Sequence, residues 1–233
     1  MRTLSVQEFL DRLASSDPTP GGGSASAVAG AAAAALLGMV ARLSAGKGED
    51  DAALAQASAA ADAERVALLD LAERDAAAFD AVVQAMRLPR STPEERARRQ
   101  EAVQGALRAA AEVPLEVATR CAALLDLGAT LARAGAAAAI SDVGVAVLLA
   151  YAAATGALLN VRINLTSLRD AAYVARTGEQ VRALLQRAEV VRDEALAVVE
   201  KRLGPIPMPP APPGQDTSAG GPPASGDRAG RRE

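Results

Sequence analysis

From Pro18 to Ala41 the chain carries no charge, and beyond its Pro/Gly approach the run is built almost wholly from Ala, Gly, Ser, Leu and Val. Small residues transfer poorly to lipid, so the stretch is a weak membrane segment despite its length. They are good material for a helix whose neighbours approach closely. Gly30, Ala34 and Gly38 recur at four-residue spacing and therefore share one face. The segment from about Ser24 to Leu43 is thus expected to be a buried helix, around which other helices must pack.

Composition points the same way. Half of the 233 residues are apolar, yet only two Phe, two Tyr and no Trp are present. Strands collect aromatic and β-branched residues, whereas this core is mostly Ala, Leu and Val, so an all-α domain is expected. The chain has no histidine and one cysteine, Cys121. The commonest general base, the commonest metal ligand and any internal disulfide are therefore excluded. Proton transfer falls to Asp, Glu, Lys, Tyr or water, and no metal site is expected. A net charge of −3 without a basic stripe argues against nucleic acid as a partner. Met1 to Leu10 has charges at Arg2 and Glu8 and no apolar core of a signal peptide, so a cytoplasmic protein with no membrane partner is expected.

Local signals divide the chain into long helices. Ser5-Val6-Gln7-Glu8 is a capping box opening a short helix, with Phe9, Leu10 and Leu13 expected on its inner side. A helix from about Glu49 to Met86 follows Gly46-Lys47-Gly48. Thr92-Pro93-Glu94-Glu95 opens another, expected to reach about Leu127 and to kink at Pro114, which cannot donate to the Ala110 carbonyl. A short helix from Gly128 to Gly135, one from Ser141-Asp142 to about Leu165, and one capped at Thr177 and ending near Leu203 complete the domain, residues 1–203. Residues 204–233 are rich in Pro, Gly and Ser without apolar periodicity, the composition of a disordered tail.

Polar residues in apolar surroundings are the candidate site. Pro18-Thr19-Pro20-Gly21-Gly22-Gly23-Ser24 holds an extended approach, then lets backbone pass close to another group at a helix start, a natural seat for an anion. Asp75 lies within the stripe Leu68, Leu71, Ala72, Ala76, Phe79, Val82, Val83 and Met86. It is either a carboxyl with a raised pKa, able to hold or give a proton near neutrality, or an edge residue paired with an arginine. Asp142, the one charge between Arg133 and Arg162, is either a site residue or a first-turn acid favoured by the helix dipole. Asn160 and Asn164 share a helix face and either grip a heterocycle edge or bridge two helices. Lys47 either meets a ligand carboxylate or stabilises a helix C-terminus.

In this order and spacing, the glycine loop, Met39-Val40 through Gly46-Lys47, Asp75 with Ala78-Phe79, Ala110 through Leu115, Ser141-Asp142-Val143-Gly144 and Asn160 through Asn164 resemble the cyclodeaminase/cyclohydrolase family of folate enzymes. The resemblance implies an all-α, dimer-forming bundle that forms or hydrolyses 5,10-methenyltetrahydrofolate, with a tetrahydrofolate derivative as substrate and no bound cofactor. It implies Asp75 as the catalytic acid/base. It also places Gly21, Gly22, Gly23, Ser24, Lys47, Asp142, Asn160 and Asn164 in the folate site. Two positions differ from the family pattern: Ala136 to Ala139, where an Asn is common, and Ser44, where Thr is common. The competing class is a non-catalytic helical scaffold in which the same polar residues are caps and interhelical ties.

Overall fold

The computed structural model describes residues 3–46 and 51–206. These form six α-helices: α1 (Val6–Leu13), α2 (Gly22–Ser44), α3 (Asp51–Met86), α4 (Pro93–Ala134), α5 (Ile140–Leu165) and α6 (Ala171–Leu203), with a 3-10 turn at Ala137–Ala139 before α5. Among the described residues there is no strand. Lys47 and the expected tail from residue 207 onward lie outside the described residues.

Both capping boxes form as the sequence suggests. Ser5 Oγ accepts from Glu8 N–H at 3.2 Å while Ser5 N–H donates to Glu8 Oε2 at 2.7 Å. Thr92 and Glu95 repeat the arrangement at the start of α4. Helix α6 starts before the expected Thr177, because Asp170 Oδ1 accepts from Tyr173 N–H at 3.0 Å and supplies the cap; Thr177 is buried inside the helix. It ends at Gly204, whose φ of +76° is the left-handed conformation that glycine adopts freely. The expected break at Gly128 is absent, and α4 runs 42 residues without interruption. A Cβ at Gly128 would lie 2.7 Å from Val147 Cγ2, so this glycine lets α4 approach α5 closely rather than ending a helix.

Helix α2 is the axis of the bundle, packing against α3, α4 and α5, while α6 covers α4 and α5. Leu37 and Val40 of α2 meet a fully buried set that includes Leu68, Leu71, Val117, Leu125 and Val147. Each such side chain contributes about 1.5–3 kcal/mol by leaving water. By length and apolarity α2 and Ala137–Leu165 could each cross a membrane, but most of the α2 window is buried by other helices. Helix α1 has no buried residue, and Leu10 is exposed rather than inward-facing. A helix of 8 residues beside the main bundle has too little neighbouring surface to cover it.

The end of α2 distant from the glycine loop is closed by polar ties. Ser44 Oγ donates to the Val40 carbonyl and accepts from Ala136 N–H, both at 2.7 Å. Arg202 of α6 donates to the Ala132 and Gly135 carbonyls at the end of α4, each at 2.6 Å. The arginine bonds satisfy carbonyls that the end of α4 leaves without partners.

Close packing along α2 makes its glycines testable. A Cβ at Gly30 would lie 2.7 Å from Cys121 Sγ and 3.2 Å from Leu68 Cδ1, and both neighbours are fully buried. Gly→Ala inside a helix gains about 1 kcal/mol in propensity, whereas overpacking a filled core costs about 1–3 kcal/mol. The clash should win: Gly30→Ala is expected to lower Tm by about 2–4 °C in a thermal melt. A rise in Tm would show that α2, α3 and α4 are less tightly packed here.

Candidate active site

The start of α2 rests on α3. Gly21 is the N-cap, with extended backbone, so the helix begins at Gly22 and Ser24 lies in its first turn rather than at its cap. The Thr19–Pro20 peptide that leads in is cis. A Cβ on Gly23 would lie 2.6 Å from Asp75 Cγ and 2.7 Å from Oδ2, and would overlap Oδ1. No other residue fits at position 23 while the Asp75 carboxyl stays where it is. Sequence pattern suggested a close approach at this loop; what approaches is the carboxyl itself.

Asp75 is half-buried and, among the described residues, has no arginine partner; Ser24 holds it instead. Ser24 Oγ lies 2.9 Å from Asp75 Oδ2 and 3.0 Å from the Ala72 carbonyl. Burial pushes the Asp75 carboxyl above its ordinary value, and hydrogen bonds from the Ser24 hydroxyl and backbone N–H pull the other way. By contrast, burial pushes the Cys121 thiol up to about 12, so it remains an unreactive thiol in the core.

The carboxyl opens on a cleft of about 300 Å³. Its walls are Pro18, Thr19 and Gly21–Gly23 from the loop, Asp75, Phe79 and Val82 from α3, Ala110 from α4, and Asn160, Ile163 and Asn164 from α5. Asp75 is the one titratable side chain among those walls. The stripe that carries it leaves the core at this point. Leu68, Leu71 and Ala72 are buried, but Phe79 is 41% exposed because α2 starts at Gly22 and covers nothing beyond it. Met86, expected inward, is also exposed.

The two asparagines are held by different means. Asn160 Nδ2 donates to the Gly156 carbonyl one turn back in α5, at 3.0 Å. Asn164 Nδ2 donates across to the Ala110 carbonyl of α4 at 2.8 Å. Ala110 O is the acceptor that Pro114 cannot serve, since proline has no N–H. Asn164 therefore fills a vacancy created by proline, and the carbonyl partner fixes which way its amide points. It is an interhelical tie and a cleft wall at once.

Structure thus gathers Gly21, Gly22, Gly23, Asp75, Asn160 and Asn164 in one place. Ser24 is fully buried behind Asp75 and does not reach the cleft. Asp142 sits in the first turn of α5, about 27 Å along the helix axis from Asn160 at 1.5 Å per residue, so it lies away from this cleft within one chain. Thr19, Val82, Ala110 and Ile163 also line the cleft; the sequence held them within the glycine loop, the α3 stripe and the family motifs, but assigned none of them to the site. The Ala110 carbonyl alone had a readable signal, the proline four residues on.

Fold and cleft together define an all-helical protein with a single-carboxyl site. The chain belongs to the formiminotransferase-cyclodeaminase family, which it matches over residues 5–183. It is 40% identical to a methenyltetrahydrofolate cyclohydrolase of Methylorubrum extorquens, across 85% of this chain and 97% of that protein. It is 33% identical to the formimidoyltransferase-cyclodeaminase of Mus musculus across 85% of this chain, but that stretch is only 37% of the mouse protein. Its fold matches the crystal structure of a formiminotetrahydrofolate cyclodeaminase from Thermotoga maritima with a TM-score of 0.78 at 29% identity, covering 87% of this chain and 99% of that one.

The proline–asparagine tie predicts a coupling between the two positions. Asn164→Ala should cost about 1–3 kcal/mol, because the Ala110 carbonyl loses its partner. In a Pro114→Ala background the new N–H reclaims that carbonyl, and the same substitution should cost about 1 kcal/mol less. Urea denaturation of the four proteins in a double-mutant cycle checks this, and additive effects would remove the tie from the energetics.

Proposed function

We propose that this protein is a folate one-carbon enzyme that hydrolyses 5,10-methenyltetrahydrofolate to 10-formyltetrahydrofolate, with Asp75 as general base and then general acid. The observation that carries the reading is the Asp75 carboxyl, half-buried, pushed upward by burial and opening on a cleft walled by neutral amides. Likeness to the Methylorubrum cyclohydrolase over almost its whole length supports the choice of reaction.

In the forward direction Asp75 takes a proton from water as its oxygen bonds to the methenyl carbon. The protonated carboxyl then donates to N5 as the carbon–N5 bond breaks, the adduct's remaining O–H proton passes to water, and the formyl group stays on N10. One group serves both transfers because burial raises the carboxyl's pKa and so favours the protonated form that must donate in the second step. Gly21–Gly23, Asn160 and Asn164 would hold the polar edges of the pterin. The cleft, at the small end of ligand sites, suits the ring system, with the remaining folate lying along its open mouth. No metal enters this scheme, since both proton transfers need only a carboxyl. Among the described residues no three His, Cys, Asp or Glu side chains converge.

A second reading, cyclodeamination, is favoured by the match to the Thermotoga structure. There N10 attacks the carbon of the protonated formimino group of 5-formiminotetrahydrofolate, Asp75 removes the N10 proton, and the same proton goes to the NH2 group of the adduct, which departs as ammonia. The methenyl chromophore separates the two: its absorbance should decay faster with enzyme in the hydrolytic case, and grow with ammonia release in the other. Asp75→Asn should lower the active reaction by about 10²-fold or more with helix content unchanged, and near wild-type turnover would remove Asp75 from the mechanism.

The same substitution has a stability signature. A folded carboxyl with a raised pKa binds more protons than the unfolded chain above its ordinary titration range, so stability falls as pH rises through that range. Asp75→Asn removes the loss. Its Tm should match or exceed wild type near neutral pH, and the difference should close toward about pH 4.

A homodimer is part of the proposal. Val145, Leu148 and Leu159 of α5 are 49%, 51% and 61% exposed on an otherwise apolar helix, a face suited to a second copy. Leu148→Glu should therefore convert a dimer to a monomer in light scattering, and an unchanged mass would place the interface elsewhere. A cytoplasmic setting is part of the same proposal, by likeness to the folate-enzyme relatives.

A further inference from the structure

The Ser24 hydroxyl stands between two acceptors, Asp75 Oδ2 at 2.9 Å and the Ala72 carbonyl at 3.0 Å. A hydroxyl carries one hydrogen, so it cannot donate to both at once, but it also has lone pairs with which to accept. If Asp75 is ionised, Ser24 donates to it. If Asp75 is protonated, its O–H donates to Ser24 Oγ, and the serine hydrogen turns to the Ala72 carbonyl. Both protonation states are hydrogen-bonded without any heavy atom moving. Ser26, on the same helix, shows the contrast: its hydroxyl bonds the Gly22 carbonyl one turn back, at 2.8 Å, an ordinary local bond.

The surroundings keep this pair isolated. Gly23 abuts the carboxyl so closely that Asp75 cannot turn away from Ser24 toward the loop. Ser24 is fully buried, so water does not compete for its hydroxyl. The groups facing Asp75 across the cleft are the neutral Asn160 and Asn164 amides of α5, Ala110 of α4, and Thr19 of the loop; Phe79 and Val82 flank it on α3. None of these titrates.

We propose that Ser24 is a positioning residue that hydrogen-bonds both protonation states of Asp75 and thereby sets the pH range in which Asp75 works, without touching the substrate. The proposal rests on the acid/base reading of Asp75. It assigns Ser24 a different role from the glycines beside it.

The test is the titration of Asp75, followed through its carboxyl 13C resonance in wild type and in Ser24→Ala. Ser24→Ala removes a bond from both states, but the one donated to the ionised carboxylate is charge-assisted and the stronger, so the midpoint should move upward by about one pH unit. The acid limb of kcat/KM for methenyl hydrolysis should move by the same amount, while KM changes less than about twofold. Ser26→Ala, which disturbs the same helix turn, should move neither. Ser24→Cys keeps the shape but offers a weak donor. It should shift in the same direction and keeps the test available if the alanine variant does not fold. An unmoved 13C midpoint overturns the proposal, and so does a KM increase with an unmoved limb, which would make Ser24 a binding residue. The resonance needs no substrate. A shifted midpoint in a wild-type protein that turns over no folate would therefore sustain the Ser24–Asp75 pair while sinking the folate reading.

Discussion

Everything at the site depends on the contact between Gly23 and the Asp75 carboxyl. It fixes where α2 begins relative to α3, because backbone can lie that close to a carboxyl only where no Cβ intervenes. Once α2 is seated there, its first turn directs Ser24 at Asp75 from behind, and the glycines before it form the front of the cleft. The positive end of the helix also faces the carboxyl, which opposes the desolvation that burial imposes. A helix started one residue later would lose both effects. The small-residue face further along α2 holds the axis against α3, α4 and α5, so the start of the helix has no freedom to drift from Asp75.

The sequence made the architecture legible because helix signals are local. Two capping boxes, the proline at the start of α4 and the glycine after α6 are each read from a few neighbouring residues, and each occupies its expected place. Errors arose where one residue type has two uses. Gly128 reads as a helix end in sequence, yet it makes room for Val147 of another helix. Thr177 reads as a cap, but Asp170 caps first and the threonine is carried into the interior. Phe79 reads as core, and it is exposed because the helix that would have covered it starts too late. These outcomes depend on which helices meet, and a periodic pattern along one helix does not contain that.

The candidate site was legible in its chemistry and illegible in its assembly. Absence of histidine and the placing of a carboxyl on an apolar stripe singled out Asp75 without any coordinates. That Ser24 would serve Asp75 rather than the cleft follows only from the crossing of α2 on α3. The position of Asp142 at the far end of α5 follows from helix rise alone, once α5 is known to be continuous. Its distance from Asn160 leaves it outside the single-chain cleft.

Pro114 and Asn164 show how a defect in one helix becomes a positioning device for another. A proline inside α4 leaves the Ala110 carbonyl without its usual donor, a cost that a buried helix does not tolerate unless a partner is found. Asn164 supplies the partner from α5, and in doing so its own amide is oriented at the wall of the cleft. A regular α4 would have kept the Ala110 carbonyl occupied and left that amide free to rotate. The irregularity is therefore of use, because a side chain that is to meet a ligand edge has to be held before the ligand arrives. The same logic applies on the other side of the cleft, where Gly23 and Ser24 hold Asp75. Asn164 is fixed by the Ala110 carbonyl of α4 and Asp75 by the Gly23 backbone and Ser24 hydroxyl of α2, so the spacing between carboxyl and amide is set by how these helices pack.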